Sequence, residues 1–521
     1  MISDNEKNLP EESTVAAAAT PTDTAATDGT SSDGTASEGI EYDVKLSRKE
    51  RFLFSLGDFN AGSVGLVVAV YIAFLAANGV SAALAGIVIM VGKIWGAVTD
   101  PLIGTLSDNH RGKYGRRRPF IVVGGIMIFF TFVALFLPLY ALNSIGFKVF
   151  IYLTGYLMFS TVISLVGVPY QAMSVEITAN HSERNKINTL RTIISFLSSL
   201  LSAGIPILLT ESLNDGNISV GTFSAVMIFA FGLLYAAPTI ISATYGKERL
   251  PVPKQKNKFS FKEFLKPLKQ KSFLRLVIIY VFVLTCADVV GANIIYMADF
   301  GLNTDFSAFY ILAVMMVAFA AMIPIHGKLM EKKSKAALFR LGIPFYVGGV
   351  VLLCFFPPAL PDYLLFAVAV IIGIGLSGCQ LMPSFMFPDI KDLCELKTGE
   401  QNAGVYSGVM TFIQKIITAV AIGLSGIILE ATGFISPETD AAGIVEKAIQ
   451  PASAVLGLRL VVMIPIVVLI TVAFFVSLGI KISPERSNLV TKLLKLKRED
   501  KLDALTIEEA AEYEKIKDEC F

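Results

Sequence analysis

Asp58, Lys93, Asp100, Asp288 and Lys415 are ionisable residues inside stretches that are largely apolar. At mid-membrane each would cost roughly 2.5–3.5 kcal/mol on insertion scales, so each needs a partner or a purpose. Lys93 and Asp100 are seven residues apart, about two helical turns, and therefore share one helical face. Pro101 follows Asp100 and frees a backbone carbonyl one turn earlier. That carbonyl, the Thr99 hydroxyl and the Asp100 carboxylate make a set of oxygens suited to a hard cation. A simple kink would account for Pro101 alone. A cation entering such a network changes which charges are paired, which is the physical basis of coupling. Lys415 is placed as a charge partner, and Asp288 fits a structural ion pair. Trp95, the only tryptophan, either stacks on a bound solute or packs against lipid and helix. No His/Cys/Asp metal set and no nucleophile constellation is visible, which argues against an enzyme.

The elements that must hold these residues are membrane helices. Of 521 residues, 54% are hydrophobic and 17% charged, against about 25% charged in a soluble globule. Apolar stretches near the bilayer-spanning length of about 20 residues occur at 52–77, 83–107, 119–140, 147–173, 187–210, 220–243, 273–298, 307–330, 336–357, 362–387, 403–431 and 454–480. Their connections alternate between basic and neutral or acidic. His110–Arg118, Glu183–Arg191, Lys247–Lys271, Lys328–Lys335 and Lys391–Lys397 carry most of the basic residues. By the positive-inside rule these are cytoplasmic, as are both termini.

The chain therefore divides into a disordered cytoplasmic tail (1–47), an N-terminal six-helix half (48–245), a cytoplasmic linker (246–271), a C-terminal six-helix half (272–483) and a cytoplasmic tail (484–521). Internal duplication of this kind is expected of secondary transporters. Gly104-Thr-Leu-Ser-Asp108 before Arg116-Arg117-Arg118 is weakly echoed by Gly327-Lys-Leu-Met before Lys332, Lys333 and Lys335. The amino tail is too polar to fold and shows no cleavable leader. Thr506 and Glu509 have the spacing of a helix-starting capping box. Five cysteines without paired spacing and three histidines suggest neither disulfides nor a metal centre. A formal net charge of +1 argues against a nucleic-acid partner. The partners expected are the lipid bilayer and a small-molecule solute.

Gly104, Asp108 and Arg116, Arg117 and Arg118 can lock the cytoplasmic mouth through charge-assisted bonds. Together with Lys93-Ile-Trp95-Gly-Ala-Val-Thr99-Asp100-Pro101-Leu-Ile-Gly104, this segment resembles the helix-two signature of the glycoside–pentoside–hexuronide:cation symporters, a family of the major facilitator superfamily. Gly57-Asp58-Phe59, Pro169-Tyr170, Glu183-Arg184 with Asn188…Arg191-Thr192, Asp389-Ile-Lys-Asp392…Lys397-Thr-Gly399 with Lys415, and Leu505-Thr506-Ile-Glu508-Glu509 are similar to its other motifs.

The resemblance implies an all-α major facilitator fold of about twelve transmembrane helices. It implies Thr99, Asp100 and Ser164 as cation-coupling residues, with Asp58, Trp95, Gln171 and Arg191 at the solute and Lys93 and Lys415 in the charge network. The sequence departs from the pattern where Gly96 replaces a second cation-site carboxylate. It departs again where Gly167 and Gln171 stand at a sugar-binding aspartate and tryptophan. The function implied is sugar or glycoside symport with H+ or Na+, by a monomer in the plasma (inner) membrane and with no cofactor. The alternatives are a non-sugar or anionic solute (a lysolipid, a sulfonated sugar, an organic anion), or a non-transporting membrane receptor.

Overall fold

The computed structural model describes residues 46–498 except 62–63, 178–180, 249–259, 303, 305, 358, 400–402, 447 and 481–483. Most of the amino tail, Thr506 with Glu509 and part of the linker lie outside the described residues. Among the described residues the regular structure is helical apart from one short hairpin.

The first crossing is broken into α1 (Arg48–Ser55), α2 (Asp58–Ala61) and α3 (Val64–Ala77). The others are α4 (Ala82–Asn109), α5 (Arg118–Leu135), α6 (Ile145–Glu176), α7 (His181–Asn214) and α8 (Val220–Ala225), which runs through a π-helical turn into α9 (Gly232–Tyr245). After the short α10 (Phe261–Phe264) come α11 (Lys271–Tyr296), α12 (Ala308–Met330), α13 (Lys335–Cys354), α14 (Leu364–Thr398), α15 (Ala403–Ala431), α16 (Ala452–Leu478) and the terminal α17 (Pro484–Arg498). Among the described residues, eleven helical segments beyond α1–α3 are long and apolar enough to cross a bilayer.

Serines start several of these helices. Ser81, Ser219 and Ser334 each accept a hydrogen bond from a backbone N–H in the first turn, which supplies a partner the helix itself cannot. Two expected connections are helical instead. Glu183–Arg191 lies in α7, and Lys391–Lys397 continues α14 past Pro383 and Pro388 until Gly399 ends it at φ +72°. The connection 431–452 contains an antiparallel hairpin, β1 (Glu438–Thr439) with β2 (Val445–Glu446), which no periodicity announces.

Packing repeats between the two sets of helices. In the first, α4 and α5 pack on α6, and α5 on α9; in the second, α12 and α13 pack on α14, and α13 on α16. The sets meet through α4 with α15, α7 with α12, and α3 with α11. The first two of these are related by exchanging the sets, which gives the faint sequence echo a structural counterpart. At the α4–α15 crossing the backbones touch: a Cβ on Gly426 would lie 2.3 Å from the Ala82 carbonyl oxygen. Small residues at helix crossings give membrane bundles this contact.

Candidate functional site

Asp58 opens α2, directly after the break at Leu56 and Gly57. A Cβ on Gly57 would sit 2.4 Å from the Tyr170 ring, so glycine lets α6 close on the broken backbone. The Tyr170 hydroxyl contacts the Phe54 carbonyl at 3.1 Å and the Asp58 carboxylate at 2.8 Å. Arg191, from α7, grips the same carboxylate with two nitrogens: Nε donates to Oδ2 and an amino group to Oδ1 at 3.3 Å. The guanidinium also lies 5.0 Å from the centre of the Tyr170 ring, within cation–π range. Side-chain exposure is 9% for Asp58 and 15% for Arg191, so the pair is largely desolvated. Near the start of α7, Lys186 and Arg51 hold the Glu183 carboxyl below its ordinary value.

Two further ion pairs cross between the sets. Lys415 of α15 donates to Asp100 of α4 at 2.5 Å, and Lys93 of α4 lies 3.7 Å from Asp288 of α11. Asp288 also accepts a hydrogen bond from Gln414 at 3.1 Å. Lys93 and Asp100 thus share a face, yet each reaches a different partner helix.

The expected cation-site oxygens are divided. The Thr99 and Ser164 hydroxyls meet at 3.2 Å between α4 and α6, and both residues are buried. The Asp100 carboxylate, roughly 100° further round the helix, goes to Lys415 instead. Gly96 lies over Ser160, whose oxygen would be 3.4 Å from an added Cβ.

Trp95 does not join this cluster. It sits about 140–160° around α4 from Asp100 and Lys93, on an exposed stripe with Val91, Val98, Leu102 and Leu106. Its indole N–H donates to Thr161 of α6 at 2.8 Å. A tryptophan with its polar edge tied and its body exposed among aliphatic side chains fits lipid packing rather than sugar stacking. Gln171 is exposed on α6, and Gly167 has open space where a side chain would begin.

The arginine cluster works inside the first set. Arg117 pairs with Asp108 at 2.6 Å, and Arg118 donates to the carbonyls of Ala243 and Thr244 at the end of α9. The Glu248 carboxylate accepts from the backbone N–H groups of Arg116, Arg117 and Arg118 at 2.9, 2.7 and 3.2 Å. An anion at a helix start is favoured by the helix dipole. Gly115, at φ +102°, leaves room for that carboxylate, which would be 2.8 Å from a Cβ there. These bonds fasten α4, α5 and α9 to one another. Gly104 contributes closeness, its Cβ position lying 3.4 Å from Val168 of α6.

Gln414 and Glu248 complete the site without having been selected from sequence, while Asp288 and Tyr170 were noted there without a role at the solute or cation. Asp288 carried the clearest signal, as a charge in an apolar stretch.

Residues 53–483 match the sequence model of a family described as MFS/sugar transport protein. The chain belongs to this family. Among relatives in the family is an uncharacterized symporter of Synechocystis, 27% identical, with 75% of this chain and 87% of that protein aligned. Another is the isoprimeverose transporter of Lactiplantibacillus pentosus, 24% identical over 75% of this chain and 82% of the relative. The sodium-dependent lysophosphatidylcholine symporter 1-B of Danio rerio is 22% identical over 81% of this chain and 84% of the relative. The crystal structure of the nucleoside transporter NupG aligns with 83% of this chain and 99% of its own, at TM-score 0.55 and 14% identity. At that identity the likeness shows the fold alone. The fold is the all-α major facilitator fold, and the chain is a multi-pass integral membrane protein.

Proposed function

We propose that this member of the MFS/sugar transport family is a secondary active symporter, moving a small glycoside with a cation by alternating access between its two helix sets. The observation that carries this reading is the Asp100–Lys415 pair. It joins the sets through the one carboxylate that sits beside Thr99 and Pro101. A cation taken up at Asp100 competes with the Lys415 ammonium, so binding weakens a tie between the sets. Thr99 and Ser164 stand on the neighbouring face as further oxygens. H+ and Na+ both suit this chemistry, and Gly96 in place of a second carboxylate favours the proton.

Asp58 and Arg191 are assigned to the solute. An ionised carboxylate has about four lone-pair sites. Oδ2 receives Tyr170 and Arg191, whereas Oδ1 receives one longer bond, which leaves capacity for a sugar hydroxyl. Gln171 and the space at Gly167 extend this region along α6. An anionic solute is less well supported, because both cations that would answer it, Arg191 and Lys93, face carboxylates. The relative named for isoprimeverose supports a sugar; the one named for lysophosphatidylcholine supports a sodium-coupled amphiphile as the second reading. We further assign the termini to the cytoplasm, on the basic loops, and a monomer in the plasma (inner) membrane.

The test is Asp100→Asn in proteoliposomes. Uphill accumulation of solute is expected to disappear while exchange across a balanced membrane continues. Accumulation at the wild-type level would remove Asp100 from coupling.

A further inference from the structure

A cavity of about 410 Å³ lies among α11, α12, α13, α14 and α16, with Ser199 of α7 at its wall. This is within the roughly 300–1,000 Å³ of small-molecule sites. Apart from Ser199, Asp288, Tyr346 and Gln380 its lining is apolar, with Gly291 and Met315 among the wall residues. It is separate from Asp58 and Asp100, and it touches the charge network at Asp288, the carboxylate opposite Lys93.

From this geometry we infer that the cavity takes the apolar part of the transported solute: an alkyl or aryl chain attached to a polar head. The inference rests on the symporter reading and adds to it the class of solute. The chain extends among the aliphatic walls past Asp288, and the polar head stays outside the cavity, at the site assigned to the solute above.

Two observations, beside the general cost of an empty apolar void, support an occupant. An apolar void forfeits dispersion contacts along its whole lining, and an apolar cavity of roughly 150 Å³ already admits a benzene molecule. The Tyr346 hydroxyl is buried at this wall and has no hydrogen-bond partner among the described residues. Gly291, three residues after Asp288 on α11, has nothing within 4 Å of its Cβ position, so the helix withholds a side chain where one would fit.

That last feature supplies the test. Gly291→Leu puts a side chain into the cavity from a Cβ position with nothing within 4 Å, and leaves Asp58, Arg191, Asp100 and Lys415 unaltered. Equilibrium binding is measured on the purified full chain in lipid nanodiscs with two ligand series, methyl to hexyl glucosides and the same chains on phosphocholine. In the wild type, affinity should rise roughly three- to fourfold per methylene, the transfer value for a buried CH₂. In Gly291→Leu that dependence should vanish, while binding of the methyl compound stays within about twofold.

A slope confined to the phosphocholine series, and lost in Gly291→Leu, would uphold the cavity and refute the glycoside. Methyl glucoside binding with no slope would refute the cavity and uphold the glycoside. A slope that persists unchanged in Gly291→Leu also refutes the cavity, since the chain then lies elsewhere. No binding of either series by the wild type would refute both.

Discussion

Asp58 shows how a single side chain in this bundle is held. Its charge is answered by Arg191 and its geometry fixed by Tyr170. A buried pair broken on one side strands the other charge, at a cost of about 3–5 kcal/mol. Asp58→Asn should therefore lower the thermal unfolding temperature of the purified protein by several degrees. The double variant Asp58→Asn with Arg191→Gln should recover part of the loss, since no lone charge remains. Equal unfolding temperatures for wild type and Asp58→Asn would show that the pair holds nothing.

At this scale the sequence made Asp58, Lys93, Asp100, Asp288 and Lys415 conspicuous, because a charge in the membrane is costly alone. It did not show who pairs with whom. Lys93 and Asp100 share a face, yet only the packed bundle decides that one meets Asp288 and the other Lys415. Gln414 carries no charge and so raised no flag, and Tyr170 stood out only as part of a motif. Glu248 sits in a charged connection, where one more acid is unremarked.

Helix α4 divides its surface among three environments. Gly92, Gly96 and Thr99 face α6; Gly86 faces α15; and the Val91–Leu106 stripe is exposed. Its crossing with α15 depends on Gly426, where a side chain would strike the Ala82 carbonyl. Backbone cannot retreat as a side-chain tip can, so Gly426→Val should part the two helices at this end. The Ala83 N–H, which donates to Glu430 at 3.0 Å, offers the probe. A short bifunctional thiol linker should join Ala83→Cys to Glu430→Cys efficiently, and several-fold less so when Gly426→Val is added. Unchanged linking would mean the crossing tolerates the extra bulk.

Most elements were visible in advance, since a bilayer fixes the length and hydrophobicity of a span. The break after Ser55, the π-helical turns, the extension of α14 to Thr398 and the β1–β2 hairpin were not. The break is set by a tertiary partner, Tyr170 against Gly57, whereas the extension of α14 is supported locally by Lys391 paired with Glu395 one turn on.

Taken whole, several of the described hydrogen bonds between the two helix sets lie at the end remote from the termini. Asn214 bonds to Asp299, the Ala308 N–H to Glu211, Thr439 of the hairpin to the Ala77 carbonyl, and the Val220 N–H to the Gly443 carbonyl. The bonds described at the opposite end, such as Arg51–Glu183, Arg117–Asp108 and Lys335–Asp389, run inside one set. On the proposed cytoplasmic placement of the termini, the tied end is the outer one. The loop charges forecast sidedness, but sequence has no means to choose one state of a two-state machine, because both states use the same spans.

Alternation between such states, driven by a cation, is the account's central claim. Solute uptake by the wild-type protein in sealed proteoliposomes tests it most directly, with an inward proton or sodium gradient imposed at time zero. A glycoside that the protein binds should accumulate transiently above its external concentration, and an ionophore that collapses the gradient should abolish the overshoot. Uptake that stops at equal concentrations, with or without either gradient, would contradict symport.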